Sequence, residues 1–416
     1  MTRDLFYSAI STASSALLLA LMWVAAKIWN VNDNGVFGYA IALATISEAF
    51  MDLGLHQVTI RTIARDAKGA GHLLYTSALL KTIPSLLVIA AFGIGVLVVR
   101  DDQAGRTACW LMLAAAAMRS YQLTARGVLQ GLGRFDDDAL VTTADRILLF
   151  AACGLAIWMG ATVVQTCAVF LVVRIGSAAG ALWLARARSG HGTFDRDLAR
   201  SLPGEALPIG LFLLVLVLYN RVDTVMLGSM GADQAASDYA TGLYNAAYTL
   251  YEGLTYPAAI LSAVLVPRLS RAWLGDPSRF SRLAGRGMLS AAAAAVVVSM
   301  LGWFCAERAM AIYSLQMMPA VPTLRILALG LPAIYVIWIM HGVATAAHRA
   351  RVLIAITVFG TALNIALNLW WIPIYSYNGS AAATVVSEYV VSVVLWIALR
   401  SSRPGPATTP AAQAAA

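Results

Sequence analysis

The chain has 416 residues, 60% of them hydrophobic and only 12% charged, with a mean hydropathy of +0.74 and a formal charge of +8. Soluble domains carry about twice that share of charge, so a soluble enzyme is excluded and a polytopic membrane protein is expected. The basic residues stand in short clusters between apolar runs, a positive-inside pattern that accounts for the charge without a nucleic-acid partner.

Runs of about 20 apolar residues, enough to cross a bilayer as helix, can be placed twelve times. The first six are Ala9 to Trp29, Val36 to Ile60, Leu73 to Val99, Thr107 to Gln130, Ala139 to Met159 and Thr162 to Ala185. The second six are Ala206 to Gly228, Asp238 to Val266, Met288 to Ala309, Val321 to Thr345, Leu353 to Ile374 and Ser380 to Leu399. The first run follows Arg3 as a signal peptide would, but it is long enough to span and lacks a clear cleavage site, so it reads as a retained helix. The four cysteines, Cys109, Cys153, Cys167 and Cys305, are scattered singly, which gives weak support to a metal or disulfide.

Nineteen of the 29 Lys and Arg residues fall on the side that also holds the N-terminus. The opposite loops carry only Arg100, Arg106 and Arg308, which places both termini in the cytoplasm. The largest loop, from Arg186 to Glu205, divides the chain into lobes 1–188 and 205–402 with a linker at 189–204. The low-complexity tail 403–416 reads as disordered.

The halves look like diverged copies. RGVLQGLGR ends the fourth span (Arg126 to Arg134) and HGVATAAHR the tenth (His341 to Arg349). The second and eighth spans both begin Tyr-Ala-x-x-Leu, at Tyr39 and Tyr239. Corresponding helices then cross in the same direction, as parallel repeats do. The expected fold is an all-α membrane protein with 12 transmembrane helices in two six-helix lobes related by a pseudo-two-fold along the membrane normal.

Within this apolar frame the charges are conspicuous. Each costs about 2.5–3.5 kcal/mol at the bilayer centre on insertion scales, so they are expected to face a hydrated lumen or one another. Arg119, Gln122, Arg126 and Gln130 share one face of the fourth span, and Thr45, Glu48, Asp52 and Thr59 one face of the second. The stretch from Tyr219 to Ser270 reads as two helices joined by a polar loop, with Arg221 and Asp223 on the first. Thr241, Asn245, Tyr248, Glu252 and Tyr256 follow at helical spacing on the second.

Lys27, Arg119, Gln122, Arg126, Arg174, Arg221, Asn245 and Tyr248 are the candidate lumen residues, the arginines suiting an anion such as phosphate. The bland alternative is mutual pairing, Arg174 with Glu48 or Arg221 with Glu252. Lys81 and Arg146 read as snorkelling to the headgroups, and Arg325 as an edge residue of the same kind. Glu48, Asp52, Asp223, Glu252, Glu388 and His341 are the candidate proton or coupling-ion sites. Pro84, Pro208, Pro257, Pro267 and Pro332 interrupt or bound spans as hinges or packed kinks. No P-loop, GxSxG or HExxH is present and no cofactor is implied, so the chain reads as a carrier, not an enzyme.

Several short motifs resemble the polysaccharide and oligosaccharide flippases, the O-antigen translocase type within the superfamily of multidrug and toxic-compound extruders. They are Ala26-Lys27 with GVFGYA (35–40), DLGL (52–55) and RTIA (61–64), then DTVMLG (223–228), Tyr239-Ala240 and VPRLS (266–270). NIALN (364–368), Ile372-Pro373 and NGSAAAT (378–384) complete the set. Lys27 stands where many members have Arg. The resemblance implies two lobes in alternating access and a cationic lumen for an undecaprenyl-pyrophosphate-linked oligosaccharide, moved from the cytoplasmic to the periplasmic leaflet of a bacterial inner membrane. O-antigen lipopolysaccharide, capsule or exopolysaccharide would be the end product. H+ or Na+ is the implied coupling ion, and a polysaccharide polymerase and chain-length regulator the implied protein partners. Twelve spans set the chain apart from the peptidoglycan-precursor flippases, which carry two more helices. Two alternatives stand beside this reading: a cation-coupled multidrug extruder of the same superfamily, and a membrane glycosyltransferase or polymerase.

Overall fold

The computed structural model describes Ser14 and residues 16–400. The start of the first span, Arg3, Arg403 and the tail expected to be disordered lie outside the described residues. All regular structure among the described residues is helical: α1 (Ala16–Ile28), α2 (Val31–Asp52), α3 (Leu55–Arg65), α4 (Ala70–Val99), α5 (Gln103–Gly131), α6 (Phe135–Trp158) and α7 (Val163–Ser189). They are followed by α8 (Arg196–Leu227), α9 (Gln234–Gly275), α10 (Pro277–Phe304), α11 (Ala306–Tyr313), α12 (Val321–Ala328), α13 (Leu331–Ala346) and α14 (Ala350–Arg400).

Polar residues in the short connections stop and restart the helices. Asn30 accepts a hydrogen bond from the Asp33 N–H to cap α2, Asp102 caps α5 through Gly105, and Thr162 and Gln165 close a reciprocal capping box on α7. Each satisfies a backbone donor that the first turn of a helix leaves open. The Arg186 to Glu205 loop is shorter than expected, because α8 begins at Arg196 behind an Asp195 cap. Its coil is tied to α4, where the Asp195 N–H donates to Thr76 Oγ1 at 3.0 Å.

Among the described residues, seven helices are individually long and apolar enough to cross a membrane, and two bent pairs raise that number to nine. The second expected span is one such pair: α2 and α3 meet at 43°. Leu53 (φ 40°) and Gly54 (φ 82°) make that bend in the left-handed region. The tenth is the other, with the 3-10 helical residues 315–320 and α12 meeting α13 at 48°. The last two expected spans run together as α14, whose 51 residues would extend about 75 Å against a hydrocarbon core of about 30 Å. Its helix is broken at Ser376 (φ 51°, ψ −133°), two residues beyond the expected end of the eleventh span.

Contacts divide the chain into two compact units between Asn245 and Ala246, inside α9. In the first unit α5 is central and packs against α2, α3, α4, α6 and α7. Its inward face is small, with Ala108, Ala115, Ala116, Ala117 and Ala125 buried, so neighbouring backbones approach closely. Large apolar side chains point outward instead, Val98 at 78% exposure and Trp158 at 75%, as a lipid-facing surface requires. In the second unit α13 packs on α10 and α14 around Ile337, Met340, Leu353, Ile356 and Leu395.

Candidate functional site

Four helices of the first unit bring charge together. Glu48 comes from α2, Arg119 and Gln122 from α5, Asp145 and Arg146 from α6, and Arg174 from α7. Arg174 Nη1 donates to Asp145 Oδ2 at 2.6 Å, and its guanidinium lies 5.1 Å from the Phe170 ring. The same carboxylate oxygen is 4.0 Å from Arg119 Nη1. Arg119 also donates to Gln122 Oε1 at 2.5 Å and stands 3.9 Å from Glu48 Oε1. Arg146 is within electrostatic reach of Arg174, Asp145 and Glu48. Three guanidiniums thus face two carboxylates.

A second layer is fully matched. Arg126 grips Asp138 through two bonds of 2.7 and 3.2 Å, and Gln130 adds a third at 2.8 Å. Lys81 is completely buried, paired with Asp52 at 2.5 Å and donating to the Ser120 carbonyl at 3.0 Å. This corrects the expectation that Lys81 snorkels to the headgroups, because its ammonium has an inward carboxylate to meet. Arg146 also departs from that expectation: its Nε and Nη1 are buried within the unit, 11 residues into α6, which begins at Phe135. Arg325 is partly exposed and reaches Glu307 at 2.9 Å. The expected pairing of Arg174 with Glu48 is replaced by Asp145, a residue the sequence reading did not single out. An Asp-Arg dipeptide inside an apolar run was the available signal.

The remaining predicted residues lie elsewhere. Lys27 is exposed at the end of α1, its ammonium 5.8 Å from the Trp23 ring. Half-buried Arg221 lies within electrostatic reach of Asp223, which accepts hydrogen bonds from the Tyr244 hydroxyl and the Thr224 N–H. Buried Asn245 places its side-chain nitrogen where a Cβ on Gly38 would stand.

In the second unit Tyr248 and Tyr251 have ring centroids 5.7 Å apart, and the Tyr251 hydroxyl donates to Glu388 Oε1 at 2.6 Å. Glu388 sits beside Gly330 at the α12–α13 break, where a Cβ would fall 2.5 Å from Oε2. Glu252 and His341 are half-buried on α9 and α13. Of the predicted set, the structure therefore gathers Glu48, Arg119, Gln122 and Arg174 into one cluster.

A family model described as polysaccharide biosynthesis protein matches residues 1–273 of the 416. The chain belongs to that family. No curated protein matches it significantly in sequence. An inward-facing multidrug resistance MATE family transporter of the MOP superfamily shares its fold at a TM-score of 0.73 and 14% identity, covering 96% of this chain and 97% of that one. The lipid II flippase MurJ in an inward closed conformation aligns at 0.76 and 12%, covering 95% of this chain and 87% of MurJ. A MOP superfamily transporter from Pyrococcus furiosus, whose binding pocket is described as reversed in polarity, aligns at 0.64 and 16% over 95% and 93% of the two chains. This polysaccharide biosynthesis family member is thus a multi-pass, all-α membrane protein with the fold of the MOP transporters.

Proposed function

We propose that the protein is a flippase that moves an undecaprenyl-pyrophosphate-linked oligosaccharide from the cytoplasmic to the periplasmic leaflet for surface polysaccharide synthesis. It works by alternating access of two six-helix lobes, 1–188 and 205–402, in an inner membrane with both termini cytoplasmic. The observation that carries this reading is the cluster of buried Arg119 and Arg174 with half-buried Arg146, in the first unit of a polysaccharide-family chain, with one carboxylate too few. Such charge is expensive within a membrane and is tolerated where it lines a pathway. Gln122 contributes to the same wall. Glu388 and Asp223, each hydrogen-bonded to a tyrosine, are the foremost candidates for coupling H+ or Na+. No bond is made or broken, so no residue has a catalytic role. A polymerase and a chain-length regulator act downstream.

In a deletion strain complemented with variants, Arg119→Ala and Arg174→Ala are each expected to abolish surface polysaccharide and to accumulate the lipid-linked intermediate, with membrane insertion retained. Normal polysaccharide from both variants would remove the cluster from the mechanism.

A further inference from the structure

The three clustered arginines are not equivalent. Arg174 has Asp145 at 2.6 Å, and Arg119 has Gln122 at 2.5 Å with Glu48 and Asp145 at 3.9 and 4.0 Å. Arg146 is different: its Nε and Nη1 are buried and have no hydrogen-bond partner among the described residues. On the helix that carries Arg119, the Gln122 side-chain nitrogen is likewise buried and without a hydrogen-bond partner among the described residues. Buried donors on a charged group are costly to leave unmet, and a native structure retains them for a reason. Packing does not supply one here, because Arg126 and Lys81 nearby are each matched by their own carboxylate.

Resting on the carrier reading above, we propose that Arg146 is the residue that grips the transported anion, while Arg119 and Arg174 hold the Asp145 and Glu48 framework around it. Charge sets the class of ligand. With Arg119, Arg146 and Arg174 opposed by Glu48 and Asp145, the cluster carries one positive charge in excess. A singly charged oxyanion brings it to neutrality, whereas a doubly charged pyrophosphate diester leaves a net negative charge in a low-dielectric site. A sugar carboxylate and a phosphodiester share this chemistry. The unmatched Nε and Nη1 of Arg146 offer charge-assisted hydrogen bonds to either. The Gln122 amide is then free to donate to a flanking hydroxyl.

The test uses purified full-length protein in nanodiscs: wild type, Arg146→Gln and Arg174→Gln. Each is melted alone and with glucuronate, dimethyl phosphate, glucose or inorganic pyrophosphate. Arg146→Gln removes an unmatched charge and is expected to melt at or above the wild-type temperature, whereas Arg174→Gln strands Asp145 and melts lower. Glucuronate or dimethyl phosphate raises the wild-type midpoint while glucose does not, and Arg146→Gln weakens that response about tenfold, the size of one charge-assisted hydrogen bond. A response to glucuronate assigns the anion to the glycan, and one to dimethyl phosphate assigns it to a phosphodiester.

The proposal is overturned if neither monoanion acts, if pyrophosphate binds more tightly than both, or if the response survives in Arg146→Gln. It is also overturned if Arg146→Gln melts as low as Arg174→Gln. Binding is read without transport, so a deletion strain with intact surface polysaccharide would defeat the flippase reading and leave this result standing.

Discussion

Arg100 has no exposed surface and still keeps its charge, because two carboxylates come to it. Its Nη1 and Nη2 meet Asp238 of α9 at 3.0 and 2.9 Å, its Nε meets Asp102 at 3.0 Å, and its guanidinium lies 5.4 Å from the Tyr39 ring. Removing one member of such a pair leaves the other charge buried. Arg100→Ala is therefore expected to cost about 3–5 kcal/mol, read as a lower melting temperature of the detergent-solubilised protein. Reversing the pair with Arg100→Asp and Asp238→Arg is expected to recover part of the loss. The sequence marked Arg174 as a buried charge because its neighbours are apolar. It did not reveal that Asp145 answers it, since Glu48 and Asp145 sit on different helices and only one lies within bonding reach of that rotamer.

The apolar runs were legible one by one, but the helix ends were not, since α6 begins at Phe135 and α8 at Arg196, well before the expected Ala139 and Ala206. Helix contacts were not legible either. α2 meets the first turns of α9 through glycines: a Cβ on Gly35 would fall 1.8 Å from the Asp238 carbonyl oxygen, and one on Gly242 2.1 Å from that of Val31. In lipid, where apolar faces gain nothing by meeting each other, such close backbone approach is what holds helices together. Gly35→Ala is expected to push the two helices apart and to cost about 1–3 kcal/mol, measured by the same melt. Gly253, on the same α9, has nothing within 4 Å of a Cβ, so Gly253→Ala is the matched control and should not destabilise. The GVFGYA motif around Gly35 and Gly38 was visible in the sequence, but its partner was not, because a short motif does not say which of many apolar helices will lie against it.

At the scale of the whole molecule, hydropathy and the distribution of arginine propose a topology that can be tested directly. Cys305 is exposed at the end of α10, whereas Cys109, Cys153 and Cys167 are buried. With cytoplasmic termini that end of α10 is periplasmic, so a membrane-impermeant maleimide added to intact spheroplasts should label Cys305 and spare the other three. Labelling of Cys305 only in inverted vesicles would reverse the orientation.

The all-α, multi-span class and the presence of charge deep in the helices were determined by the sequence alone. Hydropathy sums along a single helix and needs no partner. The bends at Leu53 and Gly330, the break at Ser376 and the pairing that leaves Arg146 unmatched were decided only in the tertiary structure. A membrane helix that is apolar all round carries no stripe to set its rotation, so the depth and facing of each charge are chosen when neighbouring helices pack.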